Sequence, residues 1–221
     1  MAITAKDLIT DSVSTLHTSD TAIYALSLME EYRVSHLPIV NNKDFLGLVS
    51  EGDLYEFADP EAPLGAHSLS LSQPFVLSNQ HVYEVIKIAD EQKLSLIPVL
   101  DDRNTYLGVI RLADLTHYFA QLTAVNQPGG IITLEMNVHD YSVAEIAQIV
   151  ESNDAKVLSI YYSEIPNSTK IEVSVKVNRS DLAPLIQTFD RYNYTIVASI
   201  FENEDEELQD RYDSLMNFLN V

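Results

Sequence analysis

The chain has no cysteine among its 221 residues. Disulfides, thiolate nucleophiles and cysteine-ligated metals are therefore excluded, and a reducing cytoplasm is the expected location. The N-terminal residues lack the apolar core of a signal peptide. No run approaches the roughly 18 uninterrupted apolar residues that a membrane-spanning helix needs. The remaining composition, 46% hydrophobic and 21% charged, is typical of a globular protein.

Basic residues are scarce. Thirteen Lys and Arg stand against 33 Asp and Glu, which gives a formal net charge of −20. Such a surface repels phosphate backbones and anionic lipid headgroups, so nucleic-acid and membrane partners are disfavoured. A single small nucleotide remains compatible with this charge if local groups offset the field.

Glycine is also scarce, and the sequences of known catalytic loops are missing. None of the six glycines forms a G-x-G-x-x-G or phosphate-loop motif. There is no G-x-S-x-G and no H-E-x-x-H. The six histidines are scattered singly, without the paired spacing of metal ligands. We therefore expect a protein that is not an enzyme and that binds no metal.

The chain does contain an internal repeat. The stretch "HLPIVNNKDFLGLVSEGDL" from His36 is followed 60 residues later by "LIPVLDDRNTYLGVIRLADL" from Leu96. Apolar residues upstream of each stretch recur at i, i+3, i+4 and i+7, which predicts an amphipathic helix. Ser19 or Asp20 can cap the first of these helices, and Ser78 or Asn79 the second. Each unit then predicts a strand, a polar turn, a second strand and a second helix, with strands at 37–40, 45–49, 97–100 and 106–110. The proline of each first strand, Pro38 or Pro98, lacks an amide donor and is expected at a strand start or edge. A unit of about 50 residues cannot close a core alone, so we expect the two to pack together.

The paired endings "GLVSEGD" and "GVIRLAD", with the proline-containing strand before each, resemble cystathionine-β-synthase (CBS) motifs, which occur in tandem as a regulatory module. The resemblance implies that Asp53 and Asp114 accept hydrogen bonds from ribose hydroxyls, and that adenine lies against the strand near each proline. It implies AMP, ADP, ATP or a related adenosine as a regulatory ligand. The candidate nucleotide-binding residues are Leu37, Pro38, Ile39, Ser50, Asp53, Ile97, Pro98, Val99, Arg111 and Asp114.

The two motifs differ at one of these positions, because Arg111 stands where Ser50 stands in the first. Ser50-x-x-Asp53 has the pattern of a helix capping box, and a carboxylate in a first helical turn is favourable without any ligand. Because Arg111 has no hydroxyl, the second motif lacks this capping group. Arg111 instead supplies a cation where a phosphate could lie. The sequence leaves both consequences open.

The second half predicts the order βαββαβ, a ferredoxin-like layer of four antiparallel strands under two helices. This order resembles an ACT domain, a small effector-binding and dimerising unit. The loop "NVHDYS" lacks the glycine that amino-acid-binding ACT domains usually have, and Asp140 would repel a carboxylate. Packing or dimerisation is therefore the favoured role. A tandem CBS pair followed by an ACT-like domain resembles the acetoin-utilisation AcuB-type proteins.

The predicted organisation is a tandem CBS module at 1–125, with motifs at about 3–59 and 68–122, an ACT-like domain at 129–203 and an acidic amphipathic helix at 204–221. The fold class is α/β followed by α+β. We expect a non-catalytic cytoplasmic sensor, a homodimer that acts on an unidentified protein partner. The alternative is an assembly module without a small-molecule ligand. A weaker third hypothesis is an enzyme acting at Arg111 and its neighbouring aspartate.

Overall fold

The computed structural model describes residues 3–10, 12–67 and 71–201. The chain forms two compact units, which divide between Tyr118 and Phe119. Each unit has its own hydrophobic core. No helix in the described ranges is long and apolar enough to cross a membrane.

The first unit contains the repeat as two similar sets of elements. The first set is α1 (Ala22–Tyr32), β1 (His36–Asn41), β2 (Asp44–Ser50) and α2 (Glu51–Tyr55). The second is β3 (Val76–Leu77), α3 (Val82–Glu91), β4 (Leu96–Leu100), β5 (Tyr106–Arg111) and α4 (Leu112–Leu122), whose residues from Phe119 onward belong to the second unit. The four predicted strands are confirmed, and β1–β2 and β4–β5 are antiparallel hairpins.

The helices α1 and α3 begin later than the sequence predicts. Thr21 caps α1 by accepting a hydrogen bond from the Tyr24 amide at 3.2 Å, and His81 caps α3 by accepting from the Tyr83 amide at 3.2 Å. Ser19, Asp20, Ser78 and Asn79 are the predicted caps, and that prediction is wrong. The chain turns before each helix. In the turn before α1, the Asp20 carboxylate accepts a hydrogen bond from the His17 amide at 2.7 Å.

The two motifs share one core, and the segment that precedes the first helix of each motif pairs with the second strand of the other motif. We call this arrangement the exchange of leading segments. The amide of Thr10, upstream of α1, donates to the Val109 carbonyl of β5 at 2.9 Å. In return, the Leu48 amide of β2 donates to the carbonyl of Ser72, upstream of α3, at 2.9 Å. Each motif thus lies against the segment that leads into the other, which confirms the prediction that the two pack together around one core.

The prolines occupy strand interiors. Pro38 lies within β1, an edge strand of a two-stranded sheet, as a residue without an amide donor should. Pro98, also predicted at a strand start or edge, lies instead in the middle of β4, which is the central strand. This position is tolerated because β3 pairs only with Val99 and Leu100, so the ladder on that side begins after the proline.

The second unit has the predicted βαββαβ order. Its elements are β6 (Gly130–Asn137), α5 (Val143–Ser152), β7 (Val157–Glu164), β8 (Lys170–Val177), α6 (Ala183–Arg191) and β9 (Thr195–Phe201). The strands form one antiparallel sheet in the order β7-β8-β6-β9, with the two central strands β8 and β6 adjacent. The fold is therefore ferredoxin-like. The predicted acidic helix at 204–221 lies outside the described residues.

Candidate functional site

Two adjoining clefts open between the two motifs of the first unit. The larger, which we call the wide cleft, has a volume of about 800 Å³ and includes Glu30 of α1 with Glu51 and Tyr55 of α2. The smaller, the arginine cleft, has a volume of about 440 Å³ and includes Arg111 and Thr116. Both are lined by Arg33, Val34 and Ser95; the other described residues of the wide cleft belong to the first motif, whereas the arginine cleft draws on both motifs.

A polar contact joins the motifs beside these clefts. Nδ1 of His36 lies 3.1 Å from the hydroxyls of both Ser35 and Ser95, and the Ser35 amide donates to the Ser95 hydroxyl at 3.0 Å. Ser35 and Ser95 are equivalent positions of the repeat. Burial lowers the pKa of His36, and the negative charge of Asp53 partly opposes that effect. The neutral imidazole is therefore the favoured form at this junction.

Ser50 and Asp53 form the capping box that their spacing predicts. The Ser50 hydroxyl accepts from the Asp53 amide at 3.2 Å. The carboxylate atom Oδ2 of Asp53 accepts from the Ser50 amide at 2.9 Å and from the Ser50 hydroxyl at 2.6 Å. The same side chain that the family resemblance assigns to a ribose therefore also holds the start of α2. Both of these bonds use Oδ2, so the capping box does not occupy Oδ1.

Arg111 and Asp114 make a different arrangement at the start of α4. Nε and Nη2 of the guanidinium donate to the two carboxylate oxygens at 2.9 and 2.8 Å. The pair is about one-third exposed, at 30% for Arg111 and 35% for Asp114. The hydrogen bond with Asp114 raises the pKa of Arg111, so the guanidinium stays charged. A ribose hydroxyl approaching Asp114 would have to compete with this bidentate pair.

The apolar candidate residues are not on the surface of either cleft. Leu37, Pro38, Ile39, Ile97, Pro98 and Val99 are all buried in the shared core. Of the ten candidate residues, Arg111 alone lines one of the two clefts described here, and Ser50, Asp53 and Asp114 lie at the adjacent helix starts. Contact between adenine and the two proline strands stays a prediction.

Sequence reasoning did not select Arg33 for this site. Arg33 ends α1 in a left-handed conformation with φ of 54°, and Lys93 follows α3 in the same conformation with φ of 52°. Lys93 is paired with Asp90 at 2.7 Å, whereas Arg33 has no ion-pair partner within the described ranges. The available signal was the position of Arg33 in the repeat, two residues before Ser35. No group of three or more His, Asp or Glu in the described part of the chain could hold a metal ion.

Comparison with protein families identifies the repeated motifs. The CBS domain model matches residues 5–59 and again residues 69–121. The chain carries two CBS domains in tandem. The clefts described above therefore lie between two CBS domains, and Arg33 and Arg111 belong to the first and second of them, respectively.

Inosine-5′-monophosphate dehydrogenase of Methanocaldococcus jannaschii is similar to this chain, with 26% identity over 114 residues. The match covers 50% of this chain but only 22% of the dehydrogenase, through its CBS domains. A solved CBS domain pair/ACT domain protein from Thermotoga maritima is 20% identical, with a TM-score of 0.49 over 54% of this chain and 98% of that one. A putative acetoin utilization protein from Vibrio cholerae is 26% identical, with a TM-score of 0.49 over 57% and 96%.

Proposed function

We propose that this protein is a non-catalytic regulator that binds an adenosine-containing nucleotide between its two CBS domains. CBS domains commonly bind adenosine ligands and act in regulation. In this proposal the ferredoxin-like unit acts as an ACT-like dimerisation domain, and the cytoplasmic homodimer passes the ligand-dependent change to a protein partner. Ligand binding can cause such a change only if it favours one arrangement of the protein over another.

The observation that carries this proposal is the arginine cleft. The chain has a net charge of −20, yet Arg33 and Arg111 from different CBS domains line the same small cleft. Guanidinium groups bind phosphates through geometrically matched, charge-assisted hydrogen bonds. The hydroxyl-bearing residues Ser95 and Thr116 line the same space. Asp114 offsets the charge of Arg111, but Arg33 has no ion-pair partner among the described residues, so a nucleotide meets a local cation within a surface that otherwise repels anions.

A second candidate function is supported by the burial of the six apolar candidate residues. Their side chains occupy the core against which adenine was predicted to lie. A CBS pair whose adenine space is filled by its own side chains would act in assembly alone, as a structural or oligomerisation module. The two functions differ in whether any adenosine compound binds.

Equilibrium dialysis of the full chain with adenosine, AMP, ADP and ATP tests the proposal. We expect at least one of them to bind, and Arg111→Gln to weaken a phosphate-bearing ligand. Arg103→Gln is the matched control, because Arg103 lies in the β4–β5 turn and lines neither cleft. Absence of binding by all four compounds, with the variants folded, would refute the sensor and favour the assembly module.

Transmission through the second unit has a separate test. Amide hydrogen exchange of residues 130–201 should change when the nucleotide that binds in the dialysis experiment is added. The sedimentation coefficient of the chain should correspond to a dimer. Exchange that changes only within residues 5–121 would show binding without transmission. A monomer at all concentrations would remove the dimerisation role of the ferredoxin-like unit.

A further inference from the structure

We propose that the two clefts together hold one nucleotide per chain, with a phosphate bound between Arg33 and Arg111 and the uncharged nucleoside in the wide cleft. This inference rests on the proposed function, and it specifies the orientation, the stoichiometry and a binding residue from the first CBS domain. The repeat in the sequence would instead suggest two equivalent sites.

The electrostatic difference between the clefts supports one orientation. None of the described residues that line the arginine cleft is acidic, and the neighbouring Asp114 offsets one of its two cations, Arg111. The wide cleft has the carboxylates of Glu30 and Glu51. The hydroxyl of Tyr55 donates to Glu51 at 3.0 Å, and the pKa of Tyr55 is raised first by that bond and also by the charge of Glu30. A phosphate in the wide cleft would meet these carboxylates, whereas a base amine or ribose hydroxyl could donate to them.

Arg33 is available for an anion, unlike its counterpart in the repeat. Lys93 is committed to Asp90, but Arg33 has no carboxylate partner in the part of the chain that the structure describes. Arg33 lines both clefts, so it lies where they adjoin. Its position therefore places a charged donor between the two parts of a bound nucleotide.

Arg111 is oriented by Asp114 and still has donors to offer. A guanidinium has five N–H donors. Asp114 accepts two of them, through Nε and Nη2, which leaves three for a phosphate. The bidentate pair restricts the rotation of the long side chain, so less conformational entropy is lost when a ligand binds.

The start of α4 adds to the same cleft. Leu112 and Ala113 of its first turn line the arginine cleft. In the first CBS domain the Ser50 hydroxyl accepts from a first-turn amide, but Arg111 has no acceptor atom with which to do so. The Leu112 amide donates to the Ser95 carbonyl at 3.0 Å, and Asp114 lies in the same turn, so the positive end of this 11-residue helix contributes through its remaining first-turn amides.

Calorimetry on the full chain with AMP and with adenosine tests the inference, using Arg33→Gln and the matched control Lys93→Gln. Both positions have the same backbone conformation and lose the same charge. We expect one AMP per chain. Arg33→Gln should weaken AMP by roughly 10- to 100-fold, the loss of one charge-assisted interaction, and change adenosine affinity by less than about twofold. Lys93→Gln should change neither.

Two AMP molecules per chain, equal effects of the two variants, or an equal loss of adenosine and AMP in Arg33→Gln would overturn the inference. Inorganic phosphate, followed by thermal unfolding, separates it from the proposed function. If neither adenosine compound binds but phosphate stabilises the wild type and not Arg33→Gln, the nucleotide function fails and the anion site stands. If no phosphate-bearing probe binds, both fail.

Discussion

Replacing Asp53 by Ala should destabilise the first unit even without a ligand, because this carboxylate holds the start of α2. The substitution removes two hydrogen bonds to Ser50, at 2.9 and 2.6 Å. Helix α2 has only five residues, so its first turn is most of the helix. Loss of a capping interaction typically costs about 0.5–2 kcal/mol in the free energy of unfolding. We expect about 1 kcal/mol, or a fall in melting temperature of about 2–4 °C for a protein of this size.

A double-mutant cycle isolates that contribution. Urea unfolding of the wild type, Ser50→Ala, Asp53→Ala and the double variant should give a coupling free energy of about 0.5–1.5 kcal/mol. Arg111→Ala and Asp114→Ala provide a matched cycle in the second CBS domain. Their coupling should be smaller, about 0.3–1 kcal/mol, because the pair is one-third exposed, and it should shrink in high salt.

Additive effects of Ser50→Ala and Asp53→Ala would refute the structural role of the capping box. Such a result would leave ligand binding as the better reason for a carboxylate at Asp53. Coupling in the ligand-free protein, with unchanged nucleotide affinity in Asp53→Ala, would instead assign this carboxylate to the helix alone. The cycle thus separates two roles that one side chain can fill.

The remaining predictions concern three other positions. Gly47→Ala should destabilise the protein by about 1–3 kcal/mol in urea unfolding. The Cβ of the alanine would lie 2.6 Å from Cβ of Leu71, and the backbone φ at this position is +149°. A stable variant would contradict that packing. Burial lowers the pKa of His36 below 6.5, so the folded state favours the neutral imidazole. The contribution of His36 to stability should be present above pH 6.5 and be lost as the pH falls through the lowered pKa. His36→Asn should remove that part of the pH dependence of unfolding. Tyr106→Phe should be neutral or stabilising by up to about 1 kcal/mol by thermal unfolding. The reason is that the Tyr106 hydroxyl is buried without a hydrogen-bond partner in the described structure. A clear loss of stability in Tyr106→Phe would show that this hydroxyl does have a partner.

The sequence predicted the elements well because their signals are local. The alternation of Ile171, Val173 and Val175 places one face of β8 in the core, and the structure buries all three. The capping box at Ser50 likewise needs only two residues three apart. Helix starts were less predictable, because Thr21 and His81 compete with several polar neighbours and the turn before each helix decides between them.

The exchange of leading segments could not be predicted from such patterns. Thr10 and Val109 are far apart in sequence, and no local pattern around either residue specifies that they meet. Gly47 and Gly108 are part of the repeated motif in the sequence, but the need for glycine at these positions comes from tertiary contacts. A Cβ on Gly108 would lie 2.5 Å from Cγ2 of Ile9, so the side chain is absent because the exchanged segment passes there. The same limit applies to Arg33, whose role depends on a cleft that both CBS domains form.

The symmetry of the sequence therefore overstates the symmetry of the site. At Ser50 the first CBS domain uses a hydroxyl to close its helix start, and the nearby wide cleft is lined by Glu51. At Arg111 the second CBS domain has no such hydroxyl, and it places a guanidinium beside the first turn of α4. One difference in the duplicated motif thus replaces a hydroxyl with a guanidinium, paired with Asp114, at the start of α4, while the strands remain alike. A regulator built this way can hold its fold through the repeat and obtain ligand orientation from the position where the repeat fails.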